Sequence, residues 1–176
     1  ALNLKLLSYK YQNNYGCGYL SGNTINPIFN GNFESLNKFL IELMQASAEK
    51  TEFNAFNTNI NLDDVEIIAP LPKPSSFRDA YAFRQHVEAG RKSRGLDMIP
   101  EYDQFPVFYF SNHNSIIGPG EVNVYSEHMK KLDFELEIAI VIKKEGINIK
   151  AKDAEQYIFG YTIMNDWSAR GLQMQE

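Results

Sequence analysis

Leu132-Asp133-Phe134-Glu135-Leu136-Glu137-Ile138-Ala139-Ile140-Val141-Ile142 decides how this chain folds and what it does. The run is rich in β-branched residues and free of Gly and Pro, and it predicts one long strand. Successive side chains of a strand alternate faces, so Glu135 and Glu137 point the same way. Two carboxylates on one face, entering a run of Ile and Val, repel each other and resist burial. Arg, Lys or a cation must compensate them. A hard divalent ion suits, because carboxylate oxygens two residues apart can converge on one point. The competing reading is a half-buried strand with a solvated acidic face and with Phe134, Leu136 and Ile138 as its buried set. Taken alone, the strand favours that second reading.

Working outward, the apolar run Phe159 to Met164 predicts a second strand, led into by a short helix near Asp153 to Tyr157. It ends in Asn165-Asp166-Trp167-Ser168-Ala169-Arg170. Asp166 is expected where strand gives way to polar loop, a place where ligands gather, although an Asp there is also a common helix N-cap. Upstream, Val122 to Tyr125 and Pro106 to Phe110 read as strands. A helix is expected from about Phe77 to Arg91, ended by Gly95. Asp79 near its start and His86 seven residues on would then share a face, two turns apart. A single helical His is more often a surface or core residue than a base.

The first quarter reads as a small β-rich unit. Leu4 to Tyr9 and Tyr15 to Leu20 are β-prone runs joined across Gln12-Asn13-Asn14, and Ser21-Gly22-Asn23 turns the chain again. Leu36, Phe39, Leu40 and Leu43 then form one apolar helix face, with Ser35 as the expected N-cap. Residues 47–61 read as loop and Val65 to Ala69 as a short strand. Pro70-Leu71-Pro72-Lys73-Pro74 follows as a linker, so the domains are expected at 1–72 and 73–176.

Composition excludes other classes. Among 176 residues the net charge is −5, and the short pairs Lys130-Lys131 and Lys143-Lys144 make no basic face for nucleic acid. There is no long apolar run and no signal peptide, so no membrane span is expected. Cys17 is the single cysteine, which rules out an intrachain disulfide and suggests a reducing, cytoplasmic setting. Its place in Tyr15-Gly16-Cys17-Gly18-Tyr19 reads as a packed thiol. The start on Ala1-Leu2-Asn3, without a Met, reads as processed, and the abrupt stop at Glu176 as a truncated chain.

Each acidic signal alone loses to its commoner explanation; together they match one pattern. Arg78-Asp79-Ala80-Tyr81-Ala82-Phe83-Arg84-Gln85-His86 resembles the segment of fumarylacetoacetate hydrolases that carries an Asp ligand and the catalytic His. Asp133-Phe134-Glu135-Leu136-Glu137 resembles the family's Glu-x-Glu metal strand. Asn165-Asp166-Trp167-Ser168-Ala169-Arg170 is similar to its third ligand segment, and Phe105-Pro106-Val107-Phe108-Tyr109 to the segment with a substrate-contacting Tyr. The resemblance implies an α+β, mostly β fold: a mixed β-roll catalytic core behind a small β-rich domain. It implies a divalent cation, Mg²⁺ or Ca²⁺ with Mn²⁺ also used, held by Asp79, Glu135, Glu137 and Asp166. Zinc, which prefers His and Cys, is disfavoured. It implies His86 as the base and Tyr81, Tyr109, Arg170 and Gln173 as substrate-binding residues; a structural salt bridge from Arg170 to the sheet competes with that role. Gly171 departs from the family's usual Asp. The implied function is a homodimeric hydrolase that cleaves a C–C bond in a β-diketo acid such as fumarylacetoacetate or an acylpyruvate. A decarboxylase, isomerase or hydratase of 2-oxo acids on the same fold, or a silent metal-binding protein, are the alternatives.

Overall fold

The computed structural model describes residues 4–48 and 55–173. Their contacts gather into two compact units, Ala1–Pro72 together with Ile117–Glu176, and Lys73–Ile116.

The first unit opens with three strands in sequence, β1 (Lys5–Tyr11), β2 (Asn14–Ser21) and β3 (Thr24–Gly31). Tight turns join them, with Gln12 at φ 54° and Gly22 at φ 59°. Two short strands, β4 (Ile60–Asn61) and β5 (Glu66–Ile67), complete an antiparallel sheet of order β4-β3-β2-β1-β5. β3 carries Pro27, Asn26 and Asn30 and reads poorly as a strand. Pro27 is tolerated because the β2–β3 register shifts between Cys17 and Gly18, which pairs Gly18 with Pro27 and leaves Ile28 as the extra residue.

Helix α1 (Phe33–Ala48) packs on β2 and β3. Its cap is Asn32 rather than the expected Ser35. The Ser35 N–H donates to Asn32 Oδ1 at 2.9 Å and the Asn32 N–H to Ser35 Oγ at 3.0 Å. Ser35 is thus the third helical residue, closing a reciprocal capping pair. Of the loop expected over 47–61, residues 49–54 lie outside the described residues. The strand expected at Val65 to Ala69 narrows to β5.

Leu36, Leu40 and Leu43 of α1 meet Cys17 and Ile28, with Phe159 packed at the edge of the cluster. Leu36 is fully buried there. Leu36→Ala should therefore cost about 2–5 kcal/mol in a urea melt of the full-length protein. A loss below about 1 kcal/mol would mean that this cluster is not the unit's core.

Cys17 is a packed thiol, as expected. Burial pushes it up to about 12, and contacts from the Gly18 backbone and Ser8 offset only part of that. Burial, and then the charge of Cys17, push the Tyr9 hydroxyl up to about 12 as well. Both groups are neutral in the folded state. Unfolding therefore releases protons once pH passes the ordinary values of 9.0 for the thiol and 10.0 for the phenol. The stability they contribute is intact below about pH 9 and is lost as pH rises toward 12, at about 1.4 kcal/mol per pH unit for each fully titrating group. Urea melts taken between about pH 8 and pH 11 should show this fall, and Cys17→Ala should flatten it. An identical descent in the variant would acquit the thiol.

After the proline-rich stretch the expected helix over Phe77 to Arg91 is not formed as such. Phe77–Ala80 is strand β6, and helix α2 covers only Arg84–Lys92. β6 pairs antiparallel with β7 (Phe108–Ser111), matching Asp79 with Tyr109 and Arg78 with Phe110. The Arg78 guanidinium lies 4.7 Å over the Phe110 ring. Partners so distant in sequence are invisible to a periodicity count, and their ladder outweighs the local helical spacing. Asp79 and His86 consequently share no helix face.

Within the first unit, α3 (Ser126–Met129) precedes β8 (Leu132–Ile142), which pairs along its whole length with β9 (Ile158–Ala169). α4 (Arg170–Gln173) follows. The expected helix near Asp153 to Tyr157 is a 3-10 segment, Ala151–Tyr157. The strand expected at Val122 to Tyr125 has no ladder partner among the described residues. No described helix is long and apolar enough to cross a membrane.

Candidate metal centre

The β8–β9 register builds the acidic face. Asp166 stands directly across from Glu135 and diagonal to Glu137, whose own partner is Met164. All three are half-buried. Carboxylate oxygens of Glu137 and Asp166 come within 4.8 Å of each other. Asp166 is not at a strand end, as the sequence suggested, but well inside β9, because the ladder continues to Ala169. A helix-capping role is therefore excluded.

The opposite face is apolar and open. Phe134, Leu136 and Ile138 are 64, 73 and 72% exposed, and Ile163 of β9 is 78% exposed. Among the described residues the carboxylates occupy the more sheltered side, and Phe134, Leu136 and Ile138, the buried set of the competing reading, are exposed in this chain.

Arg170 supplies the positive charge at one end of this face. Its Nη2 lies 2.5 Å from Glu135 Oε1 and its Nε 3.2 Å from Asp133 Oδ2. Nη1 donates to Gln173 Oε1 at 3.0 Å. Burial by itself works to lower the Arg170 pKa, but hydrogen bonds and charge from Glu135 and Asp133 outweigh it and hold the guanidinium above its ordinary value. The Ser168 hydroxyl also donates to Glu135 Oε1, at 3.4 Å. The salt bridge from Arg170 to the sheet, one of the two roles read for it, is present.

Two of these contacts are not foreseen from the sequence. Asp133 and Ser168 are register partners at the end of the ladder. Each lies two residues from a predicted ligand, Glu135 or Asp166, and so on the same face. That i±2 spacing was the available signal.

The second unit holds the other predicted residues. Cross-strand pairing sets Tyr109 opposite Asp79, and its hydroxyl donates to Asp79 Oδ2 at 2.7 Å. Such a bond orients the Asp79 carboxylate. Tyr81 follows β6; its N–H donates to the Val107 carbonyl at 3.0 Å, and its carbonyl accepts from the Tyr102 hydroxyl at 2.7 Å. An open cleft of about 370 Å³ lies here, lined in part by Tyr81, Tyr102 and Phe105. His86 sits exposed on the first turn of α2.

The donor set fits a hard cation. Glu137 and Asp166 offer only carboxylate oxygens, on a sheet face rigid enough to keep them close, and like charges at that distance favour a divalent ion between them.

Known proteins agree with this architecture. The chain is 37% identical over 117 residues to oxaloacetate tautomerase YisK of Bacillus subtilis, covering 64% of this chain and 36% of that one. It is 32% identical over 137 residues to fumarylacetoacetase of Oryza sativa subsp. japonica, covering 66% of this chain and 32% of that one. The crystal structure of Cg1458 with inhibitor superposes with a TM-score of 0.71 at 22% identity, over 98% of this chain and 58% of that one. The chain thus spans about a third of these curated relatives and somewhat over half of that solved structure. The likeness in fold bears out the α+β, mostly β architecture expected from the sequence. Residues 75–176, more than half of the chain, match the family described as fumarylacetoacetate (FAA) hydrolase C-terminal, and the chain belongs to that family.

Proposed function

We propose that this chain is part of a divalent-cation-dependent hydrolase that cleaves a C–C bond in a β-diketo acid of the fumarylacetoacetate or acylpyruvate type. The convergence of Glu137 and Asp166 on the sheltered face of β8–β9 carries this reading. The family pattern adds Glu135 and Asp79 to the ligand set, with Mg²⁺, Ca²⁺ or Mn²⁺ as the ion. A cation of that kind supplies Lewis acidity to a dicarbonyl acid, polarising a carbonyl and favouring the enolate form.

The chain's own residues do the rest. His86 takes a proton from water, and the resulting hydroxide adds to the distal carbonyl. The tetrahedral adduct collapses by breaking the bond to the central carbon. Its electron pair leaves as an enolate, which takes a proton to become the ketone-bearing fragment, while the other fragment departs as a carboxylate. Tyr81 and Tyr109 orient the dicarbonyl, and Arg170 and Gln173 its acid or carbonyl group. In this reading the full-length protein is a cytoplasmic homodimer.

A second reading is favoured by one observation, the 37% identity to an oxaloacetate tautomerase. Tautomerisation needs the same cation and the same enolate but moves a proton on carbon and leaves the C–C bond intact.

Proton NMR of full-length protein with Mg²⁺ separates the two. With an acylpyruvate, two fragments, pyruvate and the carboxylate of the acyl group, should accumulate in equal amounts. If the acylpyruvate persists while the enol of oxaloacetate is consumed faster than in buffer, the enzyme is a tautomerase and the hydrolase reading fails.

A further inference from the structure

Helix α2 is weakly anchored for an element that carries His86. Val87 is its one buried residue, and Phe83 at its N-cap gives the first turn no side-chain hydrogen bond. A helix this short does not persist on propensity alone. Arg84 supplies what the cap does not. Its Nε and Nη2 lie 3.1 and 3.4 Å from the two carboxylate oxygens of Asp103, and Nη1 lies 2.9 Å from Glu88 Oε2 one turn along. Asp103 ends the 3-10 turn Pro100–Asp103, and Tyr102 of that turn donates to the Tyr81 carbonyl. Residues 100–107 therefore grip the chain on both sides of the Phe83 cap, at Tyr81 and at Arg84.

We propose that Arg84 is a positioning residue: its guanidinium, forked onto Asp103 and bridged to Glu88, fixes the first turn of α2 and with it the aim of His86. That His86 is the base rests on the function proposed above; that Arg84 holds α2 does not. Hydrogen bonding to Asp103, then the attraction of its charge, raises the Arg84 pKa. Pairs as exposed as this one, 48% and 59%, contribute little to global stability. Their effect here is on geometry, because a planar fork sets direction as a point charge does not.

The test uses full-length protein and the variants Arg84→Gln, Arg84→Lys and Asp103→Ala. Hydrogen exchange of the α2 amides reads the grip directly, with or without turnover. Steady-state kinetics on an acylpyruvate reads the aim of His86. Arg84→Gln and Asp103→Ala should speed exchange over residues 84–92 and lower kcat by about 10-fold or more, with KM and cation affinity nearly unchanged. Arg84→Lys should restore part of both. Unchanged exchange in Arg84→Gln overturns the proposal. Faster exchange with unchanged kcat overturns the link to His86. If the wild-type protein turns over no acylpyruvate, the hydrolase reading is what fails, and the exchange arm still decides whether Arg84 holds α2.

Discussion

Glu137→Gln should abolish the response of this protein to divalent cations while leaving it folded. Glutamine keeps the shape of the side chain but removes one of two negative charges whose oxygens lie within 4.8 Å. Without cation, the melts of wild type and variant set the baseline for each protein. With cation the two should part. An ion bound at 100 times its Kd stabilises the folded state by about 2.7 kcal/mol, and a ligand-deficient site forfeits most of this. Melting temperature measured against Mg²⁺, Ca²⁺ and Mn²⁺ reads the difference. The wild type should climb with concentration and Glu137→Gln should stay flat, with turnover down by roughly 10³-fold if the Lewis acid is essential. Glu135→Gln tests a different balance, since it also strips Arg170 of a partner at 2.5 Å and should cost apo stability as well. An equal cation response in wild type and Glu137→Gln would remove the metal centre from β8–β9.

How much of this is legible in the sequence depends on where each residue finds its partner. β8 can be read to its ends because an uninterrupted run of Ile, Val and Leu with alternating acids has one comfortable conformation. Its faces are harder. Burial by hydrophobicity assigns Phe134, Leu136 and Ile138 to the inside, yet the carboxylates take the sheltered side and those residues are exposed. The spacing of its acids, which sets Glu135 and Glu137 on one face, is what the sequence shows of β8 directly.

The stretch around Asp79 misleads for another reason. Its neighbours Tyr81, Ala82 and Phe83 read as helix, and Asp79 to His86 has helical spacing. The deciding partner, Tyr109, lies thirty residues on, and only the β6–β7 ladder brings it to Asp79. β3 is hidden by its Pro and Asn residues, which a shifted register accommodates. In both cases the missing information is non-local pairing. Among the residues singled out from the sequence, the structure brings Glu137 and Asp166 together and sets the Tyr109 hydroxyl on Asp79.

His86→Ala is the substitution that separates the two chemistries. Hydrolysis needs a group to deprotonate water at the moment of attack, a contribution of about 10²–10⁴-fold in rate. His86 suits that role because it stands on the first turn of α2, exposed to water, with its backbone N–H bonded to the Phe83 carbonyl. Removing the imidazole deletes no buried contact, so stability and cation binding should stay at wild-type values. Acylpyruvate cleavage should then fall by about 10²-fold or more in kcat with KM nearly unchanged, the signature of an interaction made in the transition state. Tautomerisation by the same variant is a separate question, because a proton moved on carbon can be carried by any suitably placed acid–base group, Tyr81 and Tyr109 included. Loss of cleavage with retention of tautomerisation would assign His86 to water activation alone. Loss of both would make it the common proton carrier. Full cleavage by His86→Ala would leave the fold and the metal face in place and dismiss the histidine from the mechanism.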